Sequence, residues 1–199
     1  MIVCDVETTG LSPFKHGIIS IGAVNFEHPE NWYYGEGRPL ANVVLDKRAL
    51  EINGFTEETV KALPKPMLDV MYEFYIWVQS QPPDTPMIMG GHNVGFDYYF
   101  LLETDKNLGM KTDLWPFGHR TFDLHTVAHM HYLTKKGFMY PKTMSADYIQ
   151  QKLGLPIEPT PHHALNGAVF ETECFSRLMF NRNAFDDFKD RPIIDNPWI

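Results

Sequence analysis

The chain has 199 residues, 44 % of them apolar and 14 % aromatic, which suits one domain with a sizeable core. Its formal charge of −8 argues against a broad basic footprint for nucleic acid, and its two cysteines, Cys4 and Cys174, suggest no disulfide framework. No signal peptide and no apolar run of spanning length is visible, so the expectation is a cytoplasmic protein with no membrane contact.

Met1–Val6 has the β-branched, apolar texture of a short buried strand. Side chains two apart on a strand share a face, so Asp5 and Glu7 project together, just before a Thr-Thr-Gly turn. Carboxylates held side by side repel unless a cation lies between them. A hard divalent ion with oxygen ligands, Mg²⁺ or Mn²⁺, answers that need. The plainer alternative is a pair of solvated charges at a strand end. Ile18–Phe26 and Trp32–Gly37 read as two further strands. Helical signals follow over Asp46–Asn53 and Thr56–Ala62, where Thr56 is a candidate cap with Glu57 and Glu58 in the first turn. Met67–Gln79 carries Met67, Val70, Met71, Phe74, Trp77 and Val78 at helical spacing, a core stripe rather than a cofactor site.

Pro86–Met89 reads as a short strand running into Gly-Gly, then His92 and Asn93, then Phe96 and Asp97 at the start of a helix. Asp97 falls in the first helical turn, where the helix dipole favours a carboxylate, and Phe96, Phe100 and Leu101 can anchor that helix to a core. Alternatively, Asp97 only caps the helix while Asn93 orders the turn. Arg120–Asp123 is a short strand whose Thr-Phe-Asp end lies at the mouth of a helix over Leu124–Leu133. His125 and His129 are four apart there, with His119 and His131 nearby; this spacing can bind zinc. No glutamate follows the first histidine and no third ligand has a motif, so ordinary surface or core histidines are the better reading. Tyr132–Lys142 interleaves Lys135, Lys136 and Lys142 with Tyr132, Phe138 and Tyr140. Bases stack on aromatics and phosphates pair with lysines, though a solvated loop with tucked aromatics explains the same residues. A helix over Ser145–Leu153 stops at Gly154, and a long one runs over Ala164–Phe180. His162 stands at the start of that last helix. A histidine held there, near carboxylates and a metal, is a candidate general base.

Three of these segments together resemble a known family. DVETTG (5–10), HNVGFD (92–97) and HHALNGA (162–168) look like the three exonuclease motifs of the DEDD superfamily, the DnaQ-like 3′→5′ exonucleases. The His-containing variety, DEDDh, is the nearest match, because its third motif is His, four intervening residues, then Asp. IISIGAV (Ile18–Val24) resembles the family's second strand, and ALEINGFTEE (Ala49–Glu58) the helix and turn after its third. The resemblance covers about residues 1–180, which implies an exonuclease domain over 1–183 with a tail over 184–199 packed on it or extending from it. It implies the α/β fold class: a ribonuclease-H-like mixed sheet, three antiparallel strands then two parallel, flanked by helices. The order of predicted elements suits that sheet.

The resemblance also implies a chemistry. Asp5, Glu7, Asp97 and an acid at 167 would hold two Mg²⁺ or Mn²⁺ ions, with Asp5 bridging both and Asp97 acting largely through ordered water. His162 would take the proton of the attacking water, with His163 as runner-up. Glu7 would also meet the terminal 3′-OH. Backbone near Thr8 and Gly10, with the side chain of Leu11, would hold the last base, and Asn93 and Phe96 would line the adjoining wall. The product would be a nucleoside 5′-monophosphate, released from the 3′ end of single-stranded DNA or RNA. Such an enzyme grips only the last few nucleotides, so net acidity is no obstacle, since bound dications supply local positive charge. Whether the chain acts alone, as a homodimer, or beside a polymerase or another nucleic-acid enzyme is open.

The departure is at 167. Counting from His162, the expected aspartate is Gly167. Glycine has no ligand atom, and mid-helix it costs about 1 kcal/mol relative to alanine. Glu171 is one turn on, ~5.4 Å along the axis, and Asn166 lies ~100° around the helix; neither is a ready replacement. The expectation is a centre that holds a 3′ end better than it cuts it, whether through natural decay or deliberate change. A catalytically silent module that binds nucleic acid or a polymerase-like partner is the alternative. The retention of Asp5, Glu7, Asp97 and His162 favours the enzyme.

Overall fold

The apolar run after Met1 forms β1 (Ile2–Thr8), two residues longer at its end than its apolar texture marks. It continues because the antiparallel ladder with β2 (Ile18–Asn25) persists through Val6 opposite Ile21 and Glu7 opposite Ser20, and shifts register only at Thr8. β3 (Trp32–Glu36) pairs antiparallel with β2. This is a computed structural model, and it describes residues 1–82, 87–110, 114–137 and 143–198. The Pro86 start of the predicted fourth strand, and Phe138, Tyr140 and Lys142 of the basic-aromatic stretch, lie outside the described residues.

Two short helices follow, α1 (Lys47–Ile52) and α2 (Glu57–Lys61), each started by a side-chain cap. Asp46 accepts the Ala49 N–H, and Thr56 forms a reciprocal capping box with Thr59. α3 (Met67–Gln79) buries the expected stripe, with Tyr75 inside it and Trp77 at its margin. The Tyr75 hydroxyl finds a buried partner, donating to Asp105 at 3.0 Å. β4 (Met87–Gly91) leads into α4 (Gly95–Leu108). β5 (Phe117–Asp123) starts three residues before the predicted strand, because it pairs parallel with β4 from Met87 opposite Phe117. It is an edge strand and largely exposed, so no apolar alternation marks its first half. α5 (Leu124–Lys136), α6 (Ala146–Lys152) and α7 (Ala164–Phe180) complete the chain's long elements.

The sheet order is β3-β2-β1-β4-β5, with β1 and β4 parallel to one another and β4 to β5. Three antiparallel strands followed by two parallel ones is the predicted mixed sheet. Alternation along β1 divides the core: Cys4 and Val6 pack with Phe74, Phe100 and Leu101, whereas Val3 packs with Leu124, Phe170 and Phe175. So α3 and α4 cover one face, and α5, α6 and α7 the other. Both cysteines are buried and free. Among the described residues no helix is long and apolar enough to cross a membrane.

The segment after α7 is fastened to it. Glu173 and Arg177 form a buried ion pair at 2.7 Å. Glu173 also accepts the N–H groups of Ala184 and Phe185, and Arg177 donates to the carbonyls of Leu153 and Pro192. Phe188 and Trp198 complete the α5–α7 core.

Candidate active site

Val3, Asp5 and Glu7 alternate with Cys4 and Val6 along β1, so both carboxylates lie on the face that α7 covers. Opposite Asp5 in the ladder is Gly22. A Cβ at Gly22 would lie 2.2 Å from the carbonyl carbon of Ala164, so the start of α7 rests on bare strand backbone. One turn further, a Cβ at Gly167 would lie 2.4 Å from Oδ2 of Asp5. The position where the DEDD pattern wants its fourth acid therefore abuts the first. Asp97 arrives from α4 and is tied to β1: the Val6 N–H donates to its Oδ1 at 3.0 Å. It does not cap α4, which has no side-chain cap bond.

Glu171 joins this group. It is only 6 % exposed, and its Oε2 lies 3.5 Å from the Cβ position of Gly91. The same position is 2.9 Å from the carbonyl oxygen of Cys4, so the carboxylate lies where β1 meets β4, and its charge acts on Asp5. Among the described residues its Oε2 has no hydrogen-bond partner.

Burial is the largest influence on every carboxyl group here. It pushes Asp97 up to about 8, with only the Val6 N–H and its own N–H opposing. It pushes Glu7 up to about 7, reinforced by the charge of Glu158. Asp5 is raised well above the carboxylate range by burial, then by Asp97, Glu171, Glu7 and Glu158. Glu171 is likewise raised by burial and then by Asp97, while the His92 N–H favours its charged form. Oxygen-only donors that repel one another, with an orphaned buried carboxylate oxygen, fit a hard divalent cation in kind. Among the described residues no three His, Cys, Asp or Glu side chains already converge as a cage, so holding an ion requires the carboxylates to draw together. The same holds for His125 and His129, which meet edge to face without a third ligand converging on them.

The two histidines differ. His162 is exposed, and its backbone N–H donates to the carbonyl of Ile52 at 3.0 Å. His163 is the N-cap of α7, and its ring stacks on Tyr34 with centroids 4.3 Å apart. Its Nδ1 is buried without a hydrogen-bond partner among the described residues. Glu158 was not singled out by sequence. It sits in the loop before α7, where no periodicity marks it, yet its Oε1 accepts the His163 N–H at 3.4 Å and its charge acts on Glu7. Its proximity in sequence to His162 and His163 was the one available signal.

On the other side of β1, the Thr8 hydroxyl donates to the carbonyl of Gly10 at 2.8 Å, and Asn53 donates to the carbonyl of Thr8 at 3.0 Å. Gly10 has the His16 ring where a Cβ would stand, at 2.2 Å. Beyond it, Leu11 is 83 % exposed. Asn93 takes a left-handed conformation (φ 55°), and its N–H donates to Asp123, which also caps α5 through the His125 N–H at 2.8 Å. Phe96 is half-buried against Phe100. Tyr132 packs on Trp198.

Comparison with known proteins shows the family and the fold. The profile of the RNase_T family, described as Exonuclease, matches residues 2–169. A PolC-type DNA polymerase III of Thermotoga petrophila is 30 % identical over 89 % of this chain, which spans only 12 % of that polymerase. The 3′-5′ DNA exonuclease Cap18 of Escherichia coli is 26 % identical, covering 86 % of this chain and 87 % of its own. A zinc-bound structure of an E. coli ExoI–single-stranded DNA complex superposes with a TM-score of 0.69 at 17 % identity, covering 94 % of this chain and 42 % of its own. A likeness at that identity shows the fold.

Proposed function

The chain belongs to the RNase_T exonuclease family, and from that premise we propose that it is a divalent-metal-dependent, DEDD-type 3′→5′ exonuclease that releases nucleoside 5′-monophosphates from single-stranded DNA. The observation that carries this reading is the buried carboxylate cluster formed by Asp5, Glu7 and Asp97. These three would hold Mg²⁺ or Mn²⁺. When bound, such ions stabilise the oxygens of an in-line displacement at phosphorus and lower the pKa of the attacking water. His162 takes the proton of that water, since its ring is exposed while the His163 ring is stacked on Tyr34. Glu158 accepts the His163 backbone N–H, and the charges of His162 and His163 act on it, so it lies close enough to bear on both. Glu7 accepts the terminal 3′-OH. The exposed Leu11 side chain packs on the last base, the Thr8–Gly10 backbone backs it, and Asn93 and Phe96 line the neighbouring wall.

Single-stranded DNA is the favoured substrate because Cap18 is named a DNA exonuclease and the ExoI structure holds single-stranded DNA. Glycine at 167 leaves the family's fourth ligand position empty of any donor atom, so turnover is slow. A second reading, a module serving a polymerase, is favoured by the same glycine and by the PolC-type relatives. The test is a 5′-labelled oligonucleotide, DNA and RNA in parallel, with Mn²⁺. We expect stepwise shortening of DNA with release of 5′-monophosphates, abolished by Asp5→Asn and by His162→Ala. Equal cleavage of a circular single strand would make it an endonuclease, and no shortening of any strand would leave the binding module.

A further inference from the structure

Helix α7 presents apolar or small residues to the sheet and core at Ala164, Gly167, Ala168, Cys174, Phe175 and Leu178. Glu171 breaks that pattern. A glutamate at 6 % exposure with one carboxylate oxygen unpartnered is a poor choice for packing, because a buried ionised group is stable only when another charge or donor meets it. Among the described residues no cation is seen to act on it: the charges it feels are those of Asp97, Glu158 and Asp123, and the His92 backbone N–H is a donor that favours its charged form. Its Oε2 lies beside Gly91, 3.5 Å from where a Cβ would stand, and that position is itself 2.9 Å from the carbonyl oxygen of Cys4. Its charge is felt at Asp5, and that of Asp97 is felt at Glu171 in turn.

Resting on the exonuclease reading above, we infer that Glu171 supplies to the divalent-cation centre the carboxylate that position 167 lacks. The donor has moved one turn along α7, and a longer side chain brings it back to the acids of β1 and α4. The arrangement differs from the DEDD pattern in one respect: the fourth acid approaches from beside Gly91, where β1 meets β4, not from directly above Asp5. Asp5 in turn keeps its carboxylate in the space against Gly167.

The test is Mn²⁺ binding to the whole protein by titration calorimetry, for the parent, Glu171→Gln, Asp5→Asn, Gly167→Asp, and the double variant Gly167→Asp with Glu171→Gln. Glutamine is nearly isosteric, and melting in a chelator verifies that each variant folds. Glu171→Gln should weaken Mn²⁺ binding at least about tenfold, in the range seen when a group supporting a metal site is lost. In the Gly167→Asp background the same change should weaken it by much less, because the ligand position is then filled. If Glu171 only fills space as a protonated acid, Glu171→Gln leaves Mn²⁺ binding unchanged while Asp5→Asn abolishes it; that result overturns the assignment and spares the exonuclease reading. If neither variant alters Mn²⁺ binding, the metal centre itself falls and the assignment with it. Equal losses from Glu171→Gln in both backgrounds would make Glu171 an independent ligand and overturn its role as a substitute.

Discussion

A Cβ at position 167 would press on Oδ2 of Asp5, the end of a side chain rather than fixed backbone. Asp5 can rotate away, so an aspartate fits there at the expense of setting one more charge among carboxylates already raised by burial and mutual repulsion. Two effects of Gly167→Asp then separate. Without metal, the added charge should lower the melting temperature, despite the few tenths of a kcal/mol by which aspartate exceeds glycine as a helix former. With Mn²⁺, an aspartate placed directly above Asp5, the direction that Glu171 does not cover, should raise cleavage of a single strand by about two orders of magnitude, since each 1.36 kcal/mol recovered is tenfold in rate. Turnover and melting with and without Mn²⁺ check both halves. Unchanged turnover together with unchanged Mn²⁺ stabilisation would mean that position 167 is no part of the centre.

Helix α7 does two jobs along its length: its first half meets the acids of β1, and its second half fastens the chain's end. Glu173 and Arg177 are both almost wholly buried, and each also bonds to backbone of the closing segment. Arg177→Met should destabilise the fold by about 3–5 kcal/mol, because it strands the Glu173 carboxylate. At about 2–4 °C per kcal/mol for a chain of this size, melting should fall on the order of 10 °C, and Glu173→Gln added to it should restore part of the loss. A loss below about 1 kcal/mol would show that the pair is not what holds the segment. Sequence revealed unevenly across such elements. Asp5 and Glu7 were legible because strand period two puts them on one side, and Asp97 because it follows a glycine-rich turn at a helix start. Glu171 was visible as the next acid on α7, but its burial beside Gly91 was not, because that depends on the packing of α7 on the sheet and not on helix spacing. Glu158 and the Tyr34–His163 stack join residues far apart or in a loop without period. The first half of β5 went unseen because an exposed edge strand carries no apolar alternation.

At the scale of the whole molecule, the acid cluster makes stability depend on pH and metal together. Glu7 rises from 4.5 to about 7 and Asp97 from 3.8 to about 8 on folding. A carboxyl group whose folded pKa is raised holds its proton more tightly when folded. Its contribution to stability is complete below the unfolded value and is lost as pH climbs through the folded one. The metal-free protein in a chelator should therefore melt at progressively lower temperature from about pH 5 to pH 8. General self-repulsion at a net charge of −8 is the competing cause. Glu7→Gln and Asp97→Asn distinguish the two, because each should flatten the slope while leaving the surface charge nearly as it was. Bound Mn²⁺ should act in the opposite sense, stabilising the ionised carboxylates. At a concentration ~100 times its dissociation constant it adds ~2.7 kcal/mol, or about 5–10 °C at this chain length, most clearly at the alkaline end. A metal-free melting temperature that is flat or rising over that range would show that these carboxyl groups are not held protonated by the fold, and a protein indifferent to Mn²⁺ at about pH 8 would remove the cation from the cluster.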